Sequence, residues 1–232
     1  MTFSTNADYD SKFKESVFDR GNTRNGAGYV QLQGFQFGPA IFDTSATGGS
    51  NGSGGTGGND ANNDFSNFTI SADLASSEEG PFGMGFLLRL DNNEANGYFA
   101  AVLANSATSV EFDLYEGAGL NEGFGSNIFS TVVPLNGLRI TTNTFFPFEV
   151  TATDGDFAFD FGSGAATASF TDTSVIATTG QVGFVLTTAS PDAATRLDNF
   201  AVVPEPATSA LVVLSATACL ALRRCRFSFP RN

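Results

Sequence analysis

The sequence predicts an all-β sandwich of the jelly-roll type. Three observations predict it. Glycine (26) and phenylalanine (25) are abundant while lysine and methionine occur only twice each, and aromatic runs between glycine-rich breaks favour strands and turns over helices. Strand-like segments return about every ten residues, each closed by a turn-forming cluster. Ahead of the C-terminal tail, no stretch spaces its apolar residues at helical period. At 232 residues and 41% hydrophobic, the chain is long and apolar enough to bury a substantial core.

The elements follow in order. Residues 27–42 (AGYVQLQGFQFGPAIF) read as one or two strands. Residues 44–64 are a Gly/Ser/Asn tract that cannot bury apolar surface and reads as a flexible loop. Only about 43 residues precede it, too few for a separate core without staples, so it lies inside one domain. The pattern then becomes regular, with strands predicted at 65–74, 82–90, 97–104, 109–116, 128–133, 137–142, 145–153, 156–161, 166–171, 181–188 and 196–203. Breaks such as SSEEGP, DNNEANG, ATDGD and TASPD separate them. No period of 20–50 residues repeats, which disfavours a solenoid or propeller.

Composition excludes several function classes. The net charge is −13, and no lysine or arginine cluster precedes the tail, so nucleic acid is not an expected partner. The acidity reads first as surface solubility. Without histidine, His-based triads and ordinary zinc sites are excluded. Without tryptophan, tyrosine and phenylalanine must supply any stacking platform for a sugar. Both cysteines, Cys219 and Cys225, lie in the tail, so the body holds together by packing.

That tail begins at Val203-Pro204-Glu205-Pro206, continues as an uncharged run of 16 residues from Ala207 to Leu222, and ends on Arg223, Arg224 and Arg226. As a helix the run spans about 24 Å, slightly short of the ~30 Å hydrocarbon core, and arginines beyond it favour a cytoplasmic C-terminus. A buried core helix of this length is the plainer alternative. The order of proline-glutamate-proline, apolar run and arginine cluster resembles the PEP-CTERM sorting signal of exopolysaccharide-producing bacteria, recognised by the membrane enzyme exosortase. The resemblance implies that Pro204, Glu205 and Pro206 are the recognition element and Arg223, Arg224 and Arg226 the stop signal. It also implies an exported protein, anchored first in the inner membrane by a transient helix and then placed at the cell surface or in the extracellular matrix. The opening residues MTFSTNADYDSKFKES are polar and contain no secretory apolar region, so the expected start lies upstream. The division expected is a sandwich over 1–203, a sorting and transmembrane segment over 204–226 and a cytoplasmic tail over 227–232. Four arginines and one glutamate lie beyond Val203, which leaves 7 basic and 23 acidic residues in the body, a net of −16.

The strand order carries a second resemblance. FSNFTISADL, GMGFLLRL, NGYFAAVL, VEFDLYEG, FPFEVTATDG and the closing GQVGFVLTTASPDAATRLDNFAV resemble a concanavalin A-like (laminin G-like) jelly roll over about residues 27–203. That fold hosts lectins, adhesion modules and glycosidases, so it implies no single function.

Residues 111–116 (EFDLYE) fit E-x-D-x-x-E, similar to the catalytic strand of laminarinase-type glycosidases. That resemblance makes Glu111 a nucleophile, Asp113 its helper and Glu116 the acid/base. Such chemistry needs two carboxylates about 5–5.5 Å apart. On a regular strand Glu111 and Asp113 share a face, and Glu116 joins them only across a β-bulge. The plainer reading is an acidic outer face. Residues 91–97 (DNNEANG) are rich in oxygen donors but fail the EF-hand spacing, and a hairpin turn explains them. Asp198 and Asn199 on the last strand are candidate ligands for a structural Ca²⁺, or else an outward-facing polar pair. The glycines at 83, 85 and 52–58 lack the Lys-Ser/Thr of a phosphate loop.

The leading expectation is a non-enzymatic sandwich that binds polysaccharide or builds an extracellular matrix, with Tyr98 and Tyr115 as its ligand-binding candidates. A laminarinase-type glycoside hydrolase and a protein–protein adhesion module are the alternatives.

Overall fold

The computed structural model describes residues 13–15, 23–24, 28–33, 37–42, 65–77, 82–91, 96–118, 125–188 and 194–205. They form a sandwich of two seven-stranded antiparallel sheets, with no helix among the described residues. The front sheet runs β1 (Phe13–Glu15), β4 (Phe37–Phe42), β13 (Gln181–Thr188), β6 (Phe82–Leu90), β7 (Gly97–Ser106), β8 (Ser109–Ala118) and β9 (Ser126–Pro134). The back sheet runs β12 (Ala166–Thr171), β11 (Asp156–Phe161), β10 (Phe146–Thr153), β5 (Phe68–Ser76), β14 (Ala194–Pro204), β3 (Val30–Gln33) and β2 (Thr23–Arg24).

Period-two alternation builds the back sheet. In β10, Phe146, Phe148, Val150 and Ala152 are buried while Pro147 and Glu149 are exposed, and β11 buries Phe157, Phe159 and Phe161 in the same way. The core between the sheets is largely phenylalanine. Phe86 of β6 stacks on Phe148 of β10 with centroids 5.1 Å apart, and Phe112 of β8 lies 6.3 Å from the same ring. Towards β1, Phe13, Phe184 and Phe200 meet edge to face at 5.2–5.9 Å. Such offset and edge geometries add to the area the rings remove from water.

Most predicted strands are present, and three differences have physical causes. Residues 137–142 form no strand. They follow Pro134 and carry the chain from the front sheet to the back sheet, where no ladder is open to them. Their backbone is held instead by single bonds, from Ile140 N–H to the Ala107 carbonyl and from Asn136 N–H to that of Ala165. Leu135 and Ile140 plug this end of the core. The short strands β1 and β2 were not predicted, because three and two residues show no alternation. β14 ends at Pro204, and Glu205 N–H bonds to the Asn67 carbonyl at 2.9 Å, so Pro204 and Glu205 lie on the sandwich itself. The predicted loop at 44–64, the predicted helix at 207–222 and Pro206, Arg223, Arg224 and Arg226 lie outside the described residues. Among the described residues no helix is long and apolar enough to cross a membrane.

One end of the core is polar. A β-bulge in β6, opposite the Gln181/Gly183 step of β13, turns Arg89 inward with φ 53° and no exposure. Gly180 permits the close approach, since a Cβ there would fall 2.3 Å from the Leu90 carbonyl oxygen. Arg89 Nε donates to the Ser66 carbonyl at 3.0 Å, and Nη1 donates to the carbonyls of Asp154 and Ala177. Its guanidinium lies 5.7 Å from the centroid of the Phe157 ring. Burial lowers the proton affinity of Arg89, and the charges of Tyr98 and Asp154 oppose the shift.

Beside it Tyr98 donates to Asp172 Oδ2 at 2.6 Å and accepts from Ile176 N–H at 2.9 Å. Burial, and then the bond to Asp172, raise the Tyr98 phenol from 10.0 to about 12. The folded state therefore favours the neutral phenol. Its contribution to stability is complete below pH 10.0 and is lost as the pH rises to about 12. The melting temperature is expected to fall across that window, and to fall less in Tyr98→Phe. Thermal scans by far-UV circular dichroism check this; equal falls in both proteins would refute it.

Candidate functional site

The outer face of the front sheet collects the chemistry. In β8, Val110, Phe112 and Leu114 point into the core, so Glu111, Asp113 and Tyr115 point outward. Cross-strand pairing sets three rows: Leu103–Glu111–Val132, Ala101–Asp113–Ser130 and Phe99–Tyr115–Asn127. Ser130 Oγ donates to Glu111 Oε1 at 2.8 Å. Asp113, only 4% exposed, accepts from Tyr115 Oη at 3.2 Å and from Asn127 Nδ2 at 3.3 Å.

Next to this polar strip the same face is apolar. Ile41, Leu87, Leu90, Phe99, Ala101 and Val185, each at most 3% exposed and so closed to solvent, form a second hydrophobic cluster, and the partly exposed Tyr115 packs against it. The Phe99 and Tyr115 rings are 5.8 Å apart. Burial raises the Tyr115 phenol above its ordinary value, the Asn127 bond opposes this, and the Asp113 charge reinforces it. A notch of about 60 Å³ opens beside the ring, lined by Gly83, Phe99, Ala101, Leu103, Tyr115 and Thr187. That is room for about two water-sized groups, the size of a hydroxymethyl arm rather than a sugar ring.

Glu116 does not join Glu111 and Asp113. It pairs with Tyr98, whose side chain faces the core, so Glu116 is turned to the opposite face. The bulge that could have rotated it lies one residue later, at Gly117 with φ 74°. Nor does Tyr98 meet Tyr115. It is 0% exposed, with its ring 4.9 Å from that of Phe157.

Asp198 and Asn199 sit at a bulge in β14, where Asp198 pairs with Asp73. Asn199 has φ 52°; its N–H donates to Asp198 and its Nδ2 donates to Asp73 Oδ2, each at 2.7 Å. Asn199 thus bonds both carboxylates, Asp198 through its backbone N–H and Asp73 through its side-chain amide. Among the described residues, no group of three acidic or sulfur ligands is arranged for a metal. In the 91–97 turn, Asp91 N–H bonds to the Asn96 carbonyl, as a hairpin requires; residues 92–95 lie outside the described ones. Of the residues expected to form a sorting element, Glu205 accepts at Oε2 from Thr153 Oγ1 at 3.2 Å.

Sequence reasoning missed Arg89 and Asp172. Their only sequence signal is an arginine within an apolar LLRL run. A larger hollow, about 470 Å³, opens on the outer face of the back sheet among Glu149, Thr151, Asp160, Thr167 and Ser169. It offers no ring for stacking, since Phe159 beneath it is 2% exposed and packed in the core.

No protein-family model and no curated protein matches this chain. Solved structures do. A carbohydrate-binding module from Bacillus subtilis is similar at 16% identity and TM-score 0.51, over 83% of this chain and 96% of its own. A legume lectin-like domain from Entamoeba histolytica matches at 8% identity and TM-score 0.53, over 89% and 97%. A Bacillus licheniformis beta-glucanase matches at 10% identity and TM-score 0.53, over 84% and 93%. The chain has the concanavalin A-like jelly-roll fold found in lectins and glucanases.

Proposed function

We propose that this chain is an exported, non-enzymatic sandwich that binds a neutral glycan on the outer face of its front sheet. Tyr115 carries the reading. It is a partly exposed aromatic ring beside a notch, flanked by carboxylates that accept and by Asn127, whose second amide hydrogen can donate. A pyranose stacks its C–H face on such a ring and hydrogen-bonds through its hydroxyls. Glu111 and Asp113 on the same face disfavour a polyuronate through like charge. The carbohydrate-binding module and lectin-like domain support the reading at the level of fold. The hydrolase alternative lacks support on this face, because Glu116 points away from it.

Affinity electrophoresis through gels containing a neutral β-glucan, a neutral mannan or a polyuronate tests the binding. Retardation by a neutral polymer is expected. Retardation by the polyuronate alone would overturn the choice of ligand, and release of reducing ends would overturn the non-enzymatic reading.

The tail supplies the address in this proposal: an exosortase-type enzyme handles it at the inner membrane, and the sandwich then joins the cell surface or matrix. Fused to a secreted reporter in a host with such an enzyme, residues 203–232 are expected to be processed. Replacing Pro204 and Pro206 by alanine should block this. An intact fusion that stays unprocessed would remove the sorting role.

A further inference from the structure

An unpaired strand edge is a template for another strand, and proteins guard such edges with shortness, charge or proline. This sandwich guards one flank. β1 has three residues and includes Lys14 and Glu15; β2 has two and includes Arg24. The chain's two lysines, Lys12 and Lys14, lie in or next to β1 in the sequence. On the other flank the edges are β9, with nine residues, and β12, with six; neither contains a charged residue, and the one proline, Pro134, stands at the very end of β9.

β9 is the more open of the two. From Phe129 to Pro134 its register with β8 is unbroken. Ser130 and Val132 are exposed along it, Val132 at 56%, whereas β12 exposes no large apolar side chain. Its inner side is anchored by Phe129, stacked 5.1 Å from Phe170 of β12, so the strand is held in place with its outer edge unpaired among the described residues.

We propose that β9 pairs antiparallel with the β9 of a second copy of this chain, joining two front sheets across a two-fold axis. A strand that pairs antiparallel with itself is self-complementary, so one patch on each copy suffices. Copies of a chain with net charge −13 repel one another, and an uncharged edge is where they approach at least cost. The two-fold stands perpendicular to the joined sheet, so both Tyr115 faces look the same way. If the glycan reading holds, the dimer is bivalent for a polymer; the pairing itself does not depend on that reading.

Sedimentation equilibrium on the full chain and on Val132→Lys tests the pairing. The wild-type chain is expected to dimerise, and Val132→Lys to self-associate about tenfold or more weakly while melting at an unchanged temperature. Alternate amides within residues 130–133, those facing away from β8, should gain protection from hydrogen exchange with rising concentration in the wild-type chain alone. Three results would overturn the proposal: a monomeric wild-type chain at high micromolar concentration, equal association in both chains, or dissociation by Ser169→Lys on β12 instead.

Discussion

Arg89→Ala is expected to destabilise the sandwich by about 3–5 kcal/mol, from carbonyls left without a donor and from the cavity it opens. The side chain is fully buried, and its Nε and Nη1 serve the carbonyls of Ser66, Asp154 and Ala177, which belong to three separate segments. Truncation leaves these acceptors without their donor, at about 1–3 kcal/mol for each that water cannot reach, and opens a cavity beside Phe157. Arg89→Lys should recover little, because one ammonium cannot span acceptors that a planar fork reaches together. The left-handed φ of 53° is itself costly and persists because the clamp outweighs it. For a chain of this size the melting temperature should drop on the order of 10 °C. A drop of only a degree or two would show that the cluster is incidental.

Phe148→Ala should cost a similar amount, about 3–5 kcal/mol, by a different route. Phe148 is 0% exposed and stacks on both Phe86 and Phe112, so it bridges the sheets at the centre of the core. The lost burial and the residual cavity add together. Phe170→Ala at the β12 edge is partly exposed already and should cost clearly less. Urea unfolding followed by circular dichroism gives both values; equal losses would contradict the placement of the core.

The strands of this fold were legible where alternation was long. The 145–153 and 156–161 segments alternate cleanly, and β10 and β11 occupy them within a residue. GLRITT over 137–142 has strand composition, but composition cannot reveal that a segment crosses between sheets. The outer face was legible in part. Period two placed Glu111 and Asp113 together, and β8 holds them so. Tyr98 and Phe99 are adjacent aromatics, and only the pairing of β7 with β8 decides which one faces outward. Phe99 does, and Tyr98 joins the buried polar end instead. Arg89 was illegible, because its inward turn depends on a bulge set by Gly180, which is 91 residues away in the sequence.

Glycan binding at the Tyr115 face is tested by calorimetric titration. The titrant is the neutral polysaccharide that retards the wild-type chain, presented as soluble fragments. Tyr115→Ala is expected to weaken binding about tenfold or more, while Tyr115→Phe, which keeps the ring and loses the phenol's bonds to Asp113 and Asn127, should bind nearly as wild type. Undiminished binding by Tyr115→Ala, with its fold intact by circular dichroism, would place the glycan elsewhere on the protein and overturn the role of this face.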